Sequence, residues 1–246
     1  MKIILVGYTG HMGREVRECA ERAEGAEIIA GVDPMISASE GICVKTFGEC
    51  PADADVIIDF SHHSLTGELL DFAETRNLPV VLATTGQTEE EKSRIRDAAG
   101  KIPIFLGANY SLGIAVLTDL VKRAAALYPD GEIEVIEQHH DRKLDAPSGT
   151  ALSLFQAVKE VRPAAEAVTG RSGQGKRTKD EVGIHAIRMG NIVGVHEVMI
   201  GTQNERITLK HEAFSRGVFA EGSLKAAAFL VGKAPGLYDM KDLLEG

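Results

Sequence analysis

Two adjacent imidazoles, a lysine and a run of small hydroxyl-bearing residues crowd into the stretch Glu137, His139, His140, Lys143, Asp145 and Ala146-Pro147-Ser148-Gly149-Thr150-Ala151. Histidine exchanges protons near neutral pH, and a positioned imidazole serves as a general acid. Proline followed by Ser-Gly-Thr is helix-start chemistry: Pro147 fits first-turn geometry, and the hydroxyls cap free amides. A helix N-terminus with a lysine just upstream attracts a carboxylate or a phosphate. The stretch reads as a site that holds an anionic substrate and protonates it, with His139, His140, Lys143, Ser148, Gly149 and Thr150 as its candidates. A strand, a polar loop and an ordinary helix cap would account for the hydroxyls but not for the histidines and Lys143.

A second constellation lies at the start of the chain. The apolar run 3–6 ends in Gly7-Tyr8-Thr9-Gly10-His11-Met12-Gly13, and a helical pattern follows from residue 14 to about 23. The glycines fall as G-x-x-G-x-x-G, where the backbone can approach a pyrophosphate at a helix N-terminus. A second strand, 27–32, ends at Asp33, twenty residues beyond Gly13, where a carboxylate accepts hydrogen bonds from ribose hydroxyls. Strand, glycine turn, helix and spaced acid together predict a dinucleotide site.

The elements that must position these groups alternate. Strands are predicted at 55–59, 79–83 and 102–106 and helices at 64–75 and 89–99, the rhythm of a parallel sheet with helices on both faces. Gly7, Asp33, Ser61, Thr84 and Asn109 then fall at the carboxyl ends of successive strands, the edge along which open α/β sheets bind ligands. A helix at 111–127 is expected to bridge two domains. Beyond residue 132 the pattern changes. After a strand at 133–136 and a helix at 151–161 comes a polar segment, 163–181, whose Arg171, Lys176, Arg177 and Lys179 form either a solvated loop or a mobile lid for an anionic substrate. Strands at 182–189, 191–200 and 206–211 read as antiparallel and joined by short turns, and a helix at 218–231 leads back to the first domain. The fold class is α/β: a doubly wound parallel-sheet domain, 1–110 completed by 217–246, plus an α+β substrate domain, 111–216, with a mostly antiparallel sheet. One apolar face of that sheet needs a cover, which a partner subunit can supply.

Composition narrows the class. A chain of 246 residues with 44% hydrophobic and 26% charged residues is ordinary globular material. Its net charge of −9 argues against a nucleic-acid surface. Cys19, Cys43 and Cys50 are odd in number and lack CxxC spacing, which points to a reducing compartment without disulfides or zinc. No apolar run reaches the length of a membrane span. The expectation is a soluble cytoplasmic protein that binds neither nucleic acid nor membrane.

Taken together, the block from Glu137 to Ala151 closely resembles the signature of the 4-hydroxy-tetrahydrodipicolinate reductase (dihydrodipicolinate reductase) family of the diaminopimelate route to lysine. The resemblance spans the chain: Val6-Gly7 through Met12-Gly13, Asp59-Phe60-Ser61, Thr84-Thr85-Gly86, Ala108-Asn109-Tyr110-Ser111, Arg188 with Gly190, Gly194 with His196, His211 with Ala213, and Ser215-Arg216. It implies His139 as proton donor with Lys143 as second proposed donor, and His140, Lys143, Gly149 and Thr150 as holders of the substrate's carboxylates. It implies nucleotide contacts at Gly7, Tyr8, Thr9, Gly10, His11, Met12, Asp33, Ala83, Thr84, Thr85, Gly107, Ala108, Asn109 and Tyr110, and a homotetramer built on the substrate-domain sheets. The implied reaction is hydride transfer from NAD(P)H to the ring carbon bearing the hydroxyl, with loss of water either directly or after prior dehydration. The residues do not rank His139 against Lys143 as the acid.

Asp33 is followed by Pro34, with no arginine or lysine immediately after it to meet a 2′-phosphate. A preference for NADH follows, with NADPH possible if Lys45 or a loop residue reaches in. His62-His63 could suggest metal ligands, but no further ligands are spaced to join them, and a polar loop touching the cofactor is expected. Two other functions compete: another two-domain dehydrogenase of amino or keto acids, and a non-catalytic NAD(H)-binding sensor. The first leaves the histidine-lysine block unexplained, and the second usually carries a DNA-binding segment, which a chain of net charge −9 without a basic helix does not offer.

Overall fold

β1 (Lys2–Val6) sets the layering of the first half: Ile3, Ile4, Leu5 and Val6 are all fully buried, so both faces of the strand are covered, as in the middle of a parallel sheet. In the computed structural model, which describes residues 1–39 and 41–246, β1 leads through α1 (His11–Arg22) to β2 (Glu27–Val32), β3 (Cys43–Val44), β4 (Val56–Asp59), α2 (Thr66–Arg76), β5 (Val80–Leu82), α3 (Glu89–Ala99) and β6 (Pro103–Leu106). Next come α4 (Leu112–Leu127), β7 (Glu132–His139), α5 (Gly149–Val161), β8 (Glu166–Thr169), β9 (Glu181–Arg188), β10 (Gly194–Gly201) and β11 (Arg206–Ala213). The chain ends with α6 (Gly217–Leu230), β12 (Gly236–Tyr238) and α7 (Met240–Glu245). Two units result, Met1–Leu112 with Arg216–Gly246, and Gly113–Ser215.

The first unit holds a seven-stranded parallel sheet in the order β12-β6-β5-β4-β1-β2-β3. Ile4 and Val6 pack with Leu69, Leu70, Ile95 and Ala98 of α2 and α3 on one face. Ile3 and Leu5 pack with Val16, Cys19, Ala220 and Ala227 of α1 and α6 on the other. The expected α3 is observed residue for residue because Thr88 and Glu91 form a capping box, each side chain bonding the other's backbone amide. α1 begins three residues earlier than its apolar pattern indicates, since His11, Met12 and Gly13 form its first turn. β3, β12 and α7 were not expected; they are short, and α7 buries no residue.

The second unit holds a five-stranded mixed sheet, order β11-β10-β7-β9-β8. β10 pairs antiparallel with β11 and β7, whereas β9 pairs parallel with β7 and β8. The short connection 189–193 therefore does not make the expected hairpin of β9 and β10: β7 lies between them. Ile133, Val135, Val182, Ile184, Val198 and Ile200 face Ile114, Leu117 and Val121 of α4 and Leu154 and Val158 of α5. β7 also runs three residues beyond the expected 133–136, because Glu137 and His139 continue its buried phase with hydrogen-bonded polar groups. The 163–181 segment contains β8 rather than being wholly loop, and three of its four basic residues are paired. Arg171 pairs with Glu181, Arg177 with Glu134 and the carbonyls of Ile133 and Glu181, and Lys179 with Asp130 at 3.2 Å.

Candidate active site

The nucleotide edge of the first unit is built by backbone closeness. Gly7 has φ +80°, and a Cβ there would lie 2.7 Å from the Phe60 carbonyl oxygen. A Cβ on Gly13 would overlap the carbonyls of Gly7 and Tyr8. No side chain caps α1, so its amides face outward from a cradle that a phosphate fits. Tyr8 packs against Gly31 with the Arg17 guanidinium 4.5 Å from its ring centre. Met12 packs on the core, and His11 and Gly10 are exposed.

Asp33 is already bonded inside the chain. One carboxylate oxygen accepts the Thr9 amide at 3.0 Å and the Thr9 hydroxyl, and the other accepts the Met35 amide at 3.1 Å. Its first task is thus to clamp the glycine loop to the end of β2. At the end of β4, buried Asp59 accepts the Ser61 amide at 3.0 Å, the Ser61 hydroxyl at 2.5 Å and the Thr84 hydroxyl at 2.7 Å. Burial raises its pKa, and these donors oppose the rise. Ala83 continues from β5 through its amide bond to the Asp59 carbonyl, and Thr85 follows before Gly86 at φ +87°. Gly107 and Ala108 offer backbone only. Asn109 accepts the Ser111 amide at 2.8 Å. The Tyr110 hydroxyl is turned into the core toward the carbonyls of Leu82 and Phe105, at 2.9 and 3.1 Å, so a nucleotide contact here would be made by its backbone. His63 pairs with Glu91 at 3.0 Å and His62 with Ser64; no metal-binding cluster exists among the described residues.

In the second unit, β7 delivers Glu137 and His139 on the same face as Ile133 and Val135, as the two-residue period requires. Glu137, with no exposed surface, accepts His139 Nδ1 at 2.6 Å, the Ser148 amide at 2.9 Å and both terminal nitrogens of Arg188 at 2.8 and 2.7 Å. Burial pushes its pKa up, but these donors outweigh burial and hold it below the ordinary carboxylate value. His139 is lowered, by burial first, with Glu137 opposing and Lys143 and Arg188 adding. The rings of His139 and His196 meet edge to face at 5.1 Å. His196 is pushed down to about 4, chiefly by burial and then by His139.

Ser148 caps α5, its hydroxyl accepting the Ala151 amide at 3.2 Å and meeting His196 Nε2 at 3.2 Å. Its amide is taken by Glu137 and is closed to an anion at this helix start. Pro147 precedes the cap instead of entering the first turn, after a cis Ala146–Pro147 bond. Lys143 lies 2.8 Å from Asp145, in a turn closed by its amide on the His140 carbonyl. His140 Nδ1 is buried without a hydrogen-bond partner.

Glu137, Arg188 and His196 belong to the residues that carry the resemblance, but no role in the site was expected of them. The signal for Glu137 is its place in phase with Ile133, Val135 and His139, an acid where a strand wants an apolar residue. Gly194, also part of the resemblance, had no expected role either: a Cβ there would come within 3.2 Å of His139 Nε2. Gly194→Ala is expected to reduce kcat about tenfold or more by crowding that nitrogen, with the melting temperature little changed. Steady-state kinetics beside thermal melting check this.

Two family descriptions divide the chain: dihydrodipicolinate reductase, N-terminus, matches residues 1–110, and dihydrodipicolinate reductase, C-terminus, matches residues 113–244. The 4-hydroxy-tetrahydrodipicolinate reductase of Caldanaerobacter subterraneus subsp. tengcongensis is 45% identical, covering 100% of this chain and 98% of that one. That of Clostridium tetani is 44% identical over 99% and 97%. A dipicolinate-bound dihydrodipicolinate reductase from Paenisporosarcina sp. TG-14, 24% identical, has the same fold with a TM-score of 0.81 over 97% of each chain. A nicotinamide-dinucleotide-binding unit followed by a mixed-sheet unit, matched in both halves and over its whole length, places this chain in the dihydrodipicolinate reductase family.

Proposed function

We propose that the chain reduces 4-hydroxy-tetrahydrodipicolinate to tetrahydrodipicolinate with loss of water, a step toward diaminopimelate and lysine. The observation that carries this reading is the buried Glu137–His139 pair joined through Ser148 to the start of α5, with Lys143 in the turn between. When bound on the glycine cradle, the nicotinamide supplies the hydride for the ring carbon that loses its hydroxyl. The balance requires one further proton, because hydride and proton together replace the departing water. His139 or Lys143 delivers it, and the substrate's carboxylates rest on His140, Lys143, Gly149 and Thr150, which holds the ring still during transfer. The substrate is thus a small dicarboxylate.

NADH is the favoured donor. Asp33 is fixed at the end of β2 by Thr9 and Met35, where a carboxylate suits free ribose hydroxyls and repels a 2′-phosphate. The chain works as a homotetramer in the cytoplasm. The face of the five-stranded sheet opposite α4 and α5 carries the exposed apolar side chain of Ile187, with exposed Met189 just beyond β9, and the three free cysteines suit a reducing compartment.

The test is absorbance loss of NADH, and separately of NADPH, with substrate generated in place from pyruvate and aspartate semialdehyde. Substrate-dependent oxidation is expected, with kcat/KM for NADH exceeding that for NADPH about tenfold. Cofactor binding without oxidation would defeat the reductase reading, and equal efficiencies would defeat the Asp33 argument.

A further inference from the structure

We infer that Glu137 is a positioning residue that fixes the tautomer of His139, leaving Nε2 as the nitrogen through which the proton passes. This rests on the reduction proposed above. The Glu137 carboxylate is filled on both oxygens by the protein itself. One takes His139 Nδ1 and one guanidinium nitrogen of Arg188; the other takes the Ser148 amide and the second guanidinium nitrogen. An ionised carboxylate only accepts, so at 2.6 Å His139 must present Nδ1–H to it. The opposite neutral tautomer would set two lone pairs against each other in a buried space.

The same bonds fix the rest of the site. Glu137 ties β7 to the cap of α5 through Ser148, so proton donor and anion-binding helix start share one anchor. Arg188 neutralises the carboxylate and also donates to the Asp145 carbonyl at 2.5 Å, holding the loop that carries Lys143. Gly194 leaves the space beside Nε2 clear. As the donor, His139 gives up the Nε2 proton of its imidazolium form and keeps Nδ1–H on Glu137, as in other carboxylate–histidine pairs. Glu137 works against the burial that lowers the His139 pKa, so it keeps more of the acid form at working pH.

Glu137→Gln is the decisive variant, measured for kcat and KM across pH beside the wild-type chain. Substrate-dependent turnover by the wild type must come first; its absence would defeat the reductase reading and not this one. The expected result is a kcat about 100-fold lower, KM within about threefold, and a basic limb of the pH profile moved down by about one unit. Glu137→Asp, which keeps the charge, is expected to return the limb toward its wild-type position. A limb that stays in place while activity falls would reduce Glu137 to a structural role and overturn the inference. If the variant does not fold, imidazole nitrogen shifts of the wild-type chain at pH 8 decide the matter, with His139 identified by its loss in His139→Gln. Protonated Nδ1 supports the inference and protonated Nε2 overturns it.

Discussion

His139→Gln is expected to cut kcat about a hundredfold or more while the chain stays folded. General acid catalysis by a positioned side chain is worth roughly 10²–10⁴ in rate, and His139 is held by Glu137 on one side and opens beside Gly194 on the other. Glutamine is the informative replacement. Its amide group still donates to the buried Glu137 carboxylate, which avoids the roughly 1–3 kcal/mol penalty of an unmatched buried acceptor. KM should move only a few-fold, because the groups proposed for the carboxylates lie on α5 and in the 140–143 turn. Stopped-flow absorbance of NADH, with a thermal melt of the same sample, separates lost chemistry from lost fold. Near-full turnover would remove His139 from the reaction and leave Lys143 as the donor.

Acid is expected to weaken the second unit through His196. With 4% of its surface exposed, His196 is lowered from 6.5 to about 4, by burial first and then by the neighbouring charges of His139, His211 and Lys143, against Glu137. Well above pH 6.5 neither folded nor unfolded chain protonates this ring, and the stability tied to it is fully present. As the pH falls from 6.5 toward 4, the unfolded chain takes up a proton that the folded chain refuses. Stability then drops by about 1.4 kcal/mol per pH unit, about 3 kcal/mol in all. Burial also lowers His139 and His211, so they act in the same direction. Asp59, raised by burial, acts in the opposite direction but belongs to the first unit. Urea midpoints at pH 7.5 and pH 5 read the effect, and His196→Gln should flatten the slope by about one proton. Midpoints that do not change with pH would show that His196 does not hold off its proton.

The parallel sheet was legible because its information is local. Ile3 to Val6 is apolar at every position, and the Thr88–Glu91 capping box marks a helix start unambiguously. The second sheet was less so, because strand order is a long-range property. Nothing local in 182–200 shows that β7 enters between β9 and β10. The extent of β7 was hidden by chemistry: Glu137 and His139 look like the end of an apolar strand until their partners are known. Those partners, Arg188 and His196, lie some fifty residues away, beyond the reach of local pattern. Tyr110 and Ser148 show the reverse limit. Their residue types offer groups to a ligand, whereas folding directs the Tyr110 hydroxyl and the Ser148 amide to partners inside the chain.

The first unit takes its two pieces from either side of the second, which is a single run from Gly113 to Ser215. On a ribosome the order of manufacture therefore runs against the order in the finished fold. When β1, β4 and β6 have emerged, Ile3, Leu5, Val56 and Phe105 still lack the cover of Ala220, Leu224, Ala227 and Leu230, and β6 still lacks its neighbour β12. The second unit can close in the meantime, since all its strands and helices are already made. The first unit to be synthesised is thus the last to be completed, because its closing residues follow the whole of the second unit.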